Sequence, residues 1–544
     1  MASLFSACTK EDKSVVSANK EVTLVTTLAP TPGISTKTVM NETSDGTIST
    51  TWEVGDKIWV KYINTSAVEV TAQATVTSVD GSGNATISVT MTDPKDASTI
   101  TFGFPYNYWN DDKDLKTGQI GTLDNIKDNY AASSGTGTLT VVGGEATLPT
   151  GVTMTPSVCI WKFSFKDGES DITSSVKSLT IHSDISGTVE KYVVTPTSQS
   201  NIYVAVSGNA NPRFVRITAH TASDTYLKEK SGVTLASGKF YRSSALAMEK
   251  VYYISVSASK KVIFAPGNLQ YLGNGDGSGS WRFAEHQYDF MGDGPTSGTN
   301  YQGNVTVTGF TKYNASADLD VARDLFGWGA SGYNNKYPYL TSKSTGSYYS
   351  GSTTDTDYDW GVYHSASGNS TEKITNGGSY AWRLFTNEEW AYAIARQGRV
   401  YTRDDSPTYQ ETKDLFASAT VMGVKGLIIF PDNWDGKLNR NIKYGNASSA
   451  GYTKTIIDAE LWAKFEKAGC VFLPAAHSRT GTSMGDLNEG DYWASTTDPS
   501  NYNNEHRGCT LHFSSSGTVT KSSGNCSVRY IGQSVRLIRE IEID

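Results

Sequence analysis

The sequence predicts a mainly β protein, with two β-sandwich domains followed by an α+β domain. Three observations carry this reading. Short stretches of alternating apolar and polar residues recur through the first 250 positions, separated by Gly, Asp and Asn turn signals. The chain is rich in Gly (51), Tyr (30), Ser and Thr and modest in charge, the profile of a secreted or surface protein with many turns. Two segments, both after residue 380, carry helix-capping signals. At 544 residues the chain is too long for one core and implies about three or four domains. A net charge of −8 argues against nucleic acid as a partner. No apolar run approaches the roughly 20 residues needed to span a bilayer.

Residues 1–35 read as leader and linker. Leu4-Phe5-Ser6-Ala7-Cys8, followed at once by charged residues, resembles a bacterial lipobox in a chain that starts inside its signal peptide. It implies lipidation of Cys8 and a lipid anchor to the outer membrane during export. The alternative is an unstructured leader with a chance cysteine. A first β domain is expected over 36–155. Trp52 to Val60 reads as strand, turn at Gly55-Asp56, strand, and 68–76 and 85–89 continue the alternation around turns at Asp80-Gly81 and Gly83-Asn84. A second is expected over 156–250, with strands at 158–165, 176–182, 203–206 and 215–217. The first arginine is Arg213, and eight of the 12 tryptophans follow residue 280, so composition shifts near 248–252.

The α+β domain is expected over 251–544. It opens on strands at 262–271 and 281–283. The Gly/Ser/Tyr-rich stretch 311–380 should pack through Phe326, Trp328 and Trp360. Thr386 and Glu389 form a capping box for a helix whose Trp390, Ala391 and Ile394 share a face and which ends by Gly398. A second helix spans 458–468, burying Leu461, Trp462 and Phe465, with Gly469 as its stop.

Lys37-Thr38 followed by Trp52-x-x-Gly55-Asp56-x-Ile58, and the strand Ser178 to Ile181, resemble the fimbrillin family, the subunits of type V pili. The resemblance implies a lipoprotein precursor, two transthyretin-like β-sandwich domains over 36–250, and partnership with pilus stalk or adaptor subunits by strand exchange. Two departures fit a tip subunit better than a stalk subunit. No arginine precedes 213, so Arg-specific processing has no target there, and the chain continues for almost 300 residues where a donor strand would end it. Beyond 255, Trp382-Arg383-Leu384-Phe385-Thr386-Asn387-Glu388-Glu389-Trp390-Ala391-Tyr392-Ala393 and the closing Gly532-Gln533-Ser534-Val535-Arg536-Leu537-Ile538 resemble the formylglycine-generating-enzyme branch of the C-type lectin fold.

That branch raises the question of catalysis. Its enzymes hold copper on a closely spaced cysteine pair. Cys509 and Cys526 lie 17 positions apart in the most polar stretch of the chain, and the expectation is no enzyme and no cofactor. A bridge between them is an open alternative. Cys159 and Cys470 sit in apolar runs and read as core. The calcium-dependent lectins' E-P-N or Q-P-D and W-N-D motifs are missing from the last domain. Trp109-Asn110-Asp111 and Pro431-Asp432-Asn433-Trp434 read as turns. His477, His506 and His512 show no helical i, i+4 spacing and no carboxylate at ligand spacing, so no metal site is expected.

The remaining signal is 472–538. Of the 40 residues from Asp491 to Tyr530, 22 are Ser, Thr, Asn, Tyr or Asp, punctuated by single apolar anchors at Trp493, Leu511, Phe513 and Val519. Small polar residues with tyrosine suit adaptable binding surfaces. The stretch also resembles the variable region of proteins diversified by retroelements. In those proteins randomised AAY codons yield residues such as Asn, Tyr, His, Asp, Ser, Thr, Cys and Gly but not Trp, Lys, Glu, Gln or Met. The ligand-binding residues expected on this resemblance are His477, Ser478, Thr480, Asn501, Tyr502, Asn503, Asn504, His506, Arg507, Cys509, Thr510, His512, Ser514, Asn525, Cys526, Ser527 and Tyr530. The expected function is a surface adhesin at a pilus tip that binds a protein or glycan ligand on another cell. The alternatives are a formylglycine-generating-type enzyme, and a glycan-binding surface lipoprotein with no pilus role and a cleft lined by stacked tryptophans.

Overall fold

The computed structural model describes residues 21–29, 39–42, 48–142, 145–147, 152–275, 279–293, 303–318, 320–329, 382–403, 405–406, 408–446, 451–485, 488–502, 505–514, 516, 519 and 526–541. Cys8 and Trp360 lie outside them. The protein is mainly β, and its contacts divide it into two compact units, Met1–Lys250 and Val251–Asp544. Among the described residues, no helix is long and apolar enough to cross a membrane.

In the first unit, alternation becomes strand. Ala85–Thr92 buries every second side chain, with Ile87, Val89 and Met91 facing one core, as a period of two requires. One large sheet runs Val152–Thr153, Glu21–Ala29, Ala85–Thr92, Glu69–Val79, Lys57–Ile63, Ser98–Phe104, Ser133–Val142, Thr155–Pro156. The pairing is antiparallel except where Glu21–Ala29 meets Val152–Thr153. The expected strand before Gly55 is instead part of a turn. Asp56 accepts a hydrogen bond from the Glu53 amide at 2.9 Å, and Gly55 has a φ of +100°, which favours glycine. Trp109 and Asn110 end a short helix, Tyr106–Asn110, rather than a turn, and the Trp109 ring stacks on Trp59 at 5.6 Å.

Two further sheets follow, Thr188–Val194, Ser178–Ile185, Asn209–His220, Thr225–Leu235, Glu249–Val251 and Ile202–Ser207, Val158–Phe163, Phe240–Arg242. They share one apolar cluster that includes Ile160, Phe163, Leu179, Ile181, Val204 and Ile217. The earlier part of the chain reaches into it. Helix Leu123–Asn129 contributes Ile126, and buried Gln119 donates to the Leu115 and Ala205 carbonyls while accepting from the Ala205 amide at 2.8 Å.

The second unit closes on itself. Lys261–Phe264 pairs with Ile538–Ile541 on one side and Ile254–Ser255 on the other, so an early strand and the last lie side by side. Helix Asn387–Ala395 has the expected capping box, Thr386 accepting from the Glu389 amide and Glu389 from the Thr386 amide. It stops at Arg396, before Gly398, and buries Ala393 rather than Ala391. Helix Ala459–Lys467 is capped by Asp458, buries Trp462 and Phe465, and is followed by Gly469 at φ +83°. Phe326 and Trp328 are fully packed. Central to the unit is the sheet Leu325–Phe326, Gln533–Ser534, Gly490–Tyr502, Glu505–Phe513, Cys526–Val528, flanked by Ile456–Ile457, Phe416–Val421, Val424–Ile429, Val471–Pro474.

Candidate recognition surface

The polar stretch is a β-ribbon on a buried frame. Tyr492, Trp493 and Phe513 are wholly buried and Leu511 nearly so. Polar tips are tied down as well. The Trp493 indole donates to the Phe326 carbonyl at 2.6 Å, and Trp328 donates to the Ala494 carbonyl at 2.8 Å. Asn268 donates to the Tyr492 hydroxyl, which donates to the Pro474 carbonyl. Two arginines reinforce this frame from within. Arg479 donates to the carbonyls of Leu325, Asn314 and Gly481, and Arg536 to Asn268 and Gln287. The Arg479 bonds satisfy buried backbone carbonyls, and the Arg536 bonds satisfy buried side-chain amides.

The motif that suggested the lectin branch works locally. Arg383 makes a two-pronged ion pair with Glu389, at 2.7 and 2.6 Å, and a third contact with Glu540 at 2.8 Å. Trp390 stacks on Phe385 with ring centroids 3.8 Å apart.

The expected ligand-binding residues separate into groups. Thr480 is exposed, and His477, Ser478, Arg507, His512, Ser514, Cys526 and Ser527 are half-buried, within reach of solvent. Cys509, Thr510 and Tyr530 are buried, which corrects their assignment as ligand-facing. The reason is register. Cys509 falls on the face of Glu505–Phe513 that carries Leu511 and Phe513 and packs with them in one apolar cluster. The backbones of Asn501, Tyr502 and His506 run in the ribbon, but their side chains are not among the described ones, and Asn503, Asn504 and Asn525 lie outside the described residues.

Two polar clusters form at opposite ends of strand Glu505–Phe513. At one end, Arg507, Gly508 and Cys509 pair with Val528, Ser527 and Cys526. The two cysteines, 17 positions apart in the chain, are direct cross-strand partners. A hydrogen bond to Cys509 lowers the pKa of the Cys526 thiol, and burial opposes it. Neither is in a disulfide among the described residues. At the other end, His512 Nδ1 lies 2.9 Å from Asp491 Oδ1, and His477 Nδ1 lies 3.9 Å from Glu489 Oε2. The bond to Asp491 raises the His512 pKa above its ordinary value. The expectation that these histidines lack carboxylate partners is therefore corrected for His477 and His512. Side chains alternate along the strand, so Gly508, Thr510 and His512 share one face, while Cys509 lies on the other with Leu511 and Phe513.

No family model matches the chain. No curated protein matches it. Among solved structures it is similar to a putative cell adhesion protein from Parabacteroides distasonis, with 8% identity and a TM-score of 0.21, over 40% of this chain and 83% of that one. It is also similar to a fimbrial assembly protein from the same species, with 10% identity and a TM-score of 0.24, over 45% of this chain and 95% of that one. A third is a fimbrial protein from Bacteroides ovatus, with 13% identity and a TM-score of 0.19, over 96% of this chain and 100% of that one. Likenesses this slight leave the functional reading to the geometry of the site.

That geometry suits recognition. Sequence reasoning missed Glu489 and Asp491, because their partners lie 12 and 21 positions away and only the strand register joins them. A strand alternation around Gly490 to Trp493 was the one available signal, and it does not name partners.

Proposed function

We propose that this protein is a surface adhesin at a pilus tip. It binds a protein or glycan ligand through the ribbon Gly490–Phe513 and the adjoining segments around 477–480 and 526–530. The observation that carries this is the division of labour within one ribbon. Frame residues Tyr492, Trp493, Leu511 and Phe513 are buried, whereas Ser478, Thr480, His512, Ser514 and Ser527 between and beside them reach solvent. Changing the second set leaves the core intact, which is what a recognition surface, retroelement-diversified or not, requires. In the first unit, Glu21–Ala29 pairs along most of its length with Ala85–Thr92. Its removal would open that edge, which supports assembly with stalk or adaptor subunits by strand exchange. On this reading the C-terminal unit has the C-type lectin fold, the first unit holds two transthyretin-like sandwiches, and Cys8 anchors the precursor to the outer membrane.

The test uses the full-length chain. Wild type and a combined Ser478→Ala, Thr480→Ala, Ser527→Ala variant are applied to panels of cells and immobilised glycans. The reading expects wild-type binding that the variant loses with its melting temperature unchanged; equal binding by the variant would overturn it. Diversification has its own test, a near-repeat of the 477–531 coding DNA differing only at adenines.

The facing thiols favour a second reading, an oxidase of the formylglycine-generating type. Copper(I) uptake by the full chain that is lost in both Cys509→Ser and Cys526→Ser would support it. Uptake unchanged in the two variants, or no uptake, would remove it.

A further inference from the structure

We infer that His477, Glu489 and Asp491 form a binding site for a divalent transition ion of the zinc class, with an open coordination position at the surface of the ribbon. One ligand atom from each of the three lies within 4.8 Å of the others. They come from different parts of the chain. His477 follows strand Val471–Pro474, Glu489 precedes strand Gly490–Tyr502, and Asp491 lies within it.

The backbone holds the histidine where the site needs it. His477 has a φ of +61°, the left-handed region that a non-glycine residue seldom occupies, and its amide donates to the Glu489 carbonyl at 3.0 Å. A side chain on Gly485 would meet the imidazole, since its Cβ would sit 1.6 Å from Nε2. Nε2 thus faces Gly485, and Nδ1 is the nitrogen 3.9 Å from Glu489 Oε2. A backbone outlier that aims an imidazole at two carboxylates is the kind of local strain that accompanies function.

The donor chemistry selects the ion. One imidazole nitrogen with carboxylate oxygens suits zinc and its first-row neighbours, whereas calcium and magnesium take oxygen ligands throughout. Three protein ligands and one open position is the arrangement of exchangeable rather than purely structural zinc sites. His512, 2.9 Å from Asp491, orients that carboxylate from the next strand in the manner of an outer-shell partner. Glu489 is 43% exposed and His477 13%, so the ion would sit at the rim of the ribbon, open to a ligand's oxygen or nitrogen. The site does not depend on the adhesin reading and stands or falls separately from it.

The experiment uses the full chain, stripped with EDTA and desalted. Zinc is titrated in competition with a chromophoric chelator, and cobalt(II) serves as the visible-absorption probe. The expected result is one equivalent bound, with affinity at least about tenfold weaker in His477→Gln and Glu489→Gln and also weakened in His512→Gln. Calcium should not compete. Unchanged far-ultraviolet circular dichroism in the exposed Glu489→Gln variant separates loss of a ligand from loss of the fold. No uptake, uptake unchanged in both His477→Gln and Glu489→Gln, or a near-ultraviolet thiolate band placing cobalt on Cys509 and Cys526, would overturn the assignment.

Discussion

The two units solve the same problem with different chemistry. The first is held by register. Long antiparallel ladders such as Asn209–His220 with Thr225–Leu235 satisfy the backbone, and aliphatic faces such as Leu179, Ile181 and Ile217 fill the core. The second has shorter strands and more irregular chain, and buried side chains supply the missing backbone partners. Arg323 and Arg479 are each no more than 1% exposed; Arg323 donates to the Ser316 and Asp318 carbonyls at 2.7 Å and Arg479 to those of Leu325 and Asn314. The difference shows how a surface of irregular loops can be kept rigid. The loops are fastened from below by a few polar residues, which frees the side chains above them.

The largest expected effect breaks the second kind of fastening. Glu389→Ala removes two of the three carboxylate contacts of Arg383, leaving Glu540, and half of the capping box. Leaving a mostly buried guanidinium without its main partner costs about 3–5 kcal/mol, read as a fall in the melting temperature of the second unit. In the first unit, Ile181→Ala removes a wholly packed aliphatic side chain, and a loss of about 2–4 kcal/mol is expected from transfer and cavity terms. If instead Glu389→Ala were nearly neutral while Ile181→Ala kept its cost, the contrast between the units would fail.

A smaller effect sharpens the comparison through pH. Burial pushes Asp324 up to about 6, against the opposing hydrogen bonds from Asn314 and the Met291 amide and the nearby Arg479. An acid raised in the folded state contributes stability that is fully present below its unfolded value, near 4, and lost as pH rises through about 6. Acidification from pH 7 to 5 should therefore stabilise the wild type relative to Asp324→Asn. A gap between the two melting temperatures that does not change with pH would contradict the raised value.

Much of the fold was legible because it follows short-range rules. The alternation at 85–89 and the caps at Thr386 and Asp458 announce their elements within a few residues. The site was legible only as composition. Which polar residues face solvent depends on the strands beside them, and those are set by pairings such as Asp491 with His512 and Cys509 with Cys526. Thr510 reads as a surface threonine and is buried opposite Trp493. The burial of Arg479 and Arg536 has no local signal either. Partners such as Leu325 for Arg479 and Asn268 for Arg536 lie more than a hundred residues away in the chain.

The central claim is that a buried frame carries replaceable side chains, and thermal unfolding of two sets of single variants in the full-length chain tests it most directly. Substituting Ser478, Thr480, Ser514 and Ser527 with Asn or Tyr should change stability by no more than about 0.5 kcal/mol each. Substituting Trp493 or Phe513 with Ala should cost about 3–5 kcal/mol. Comparable losses in the two sets would contradict the account.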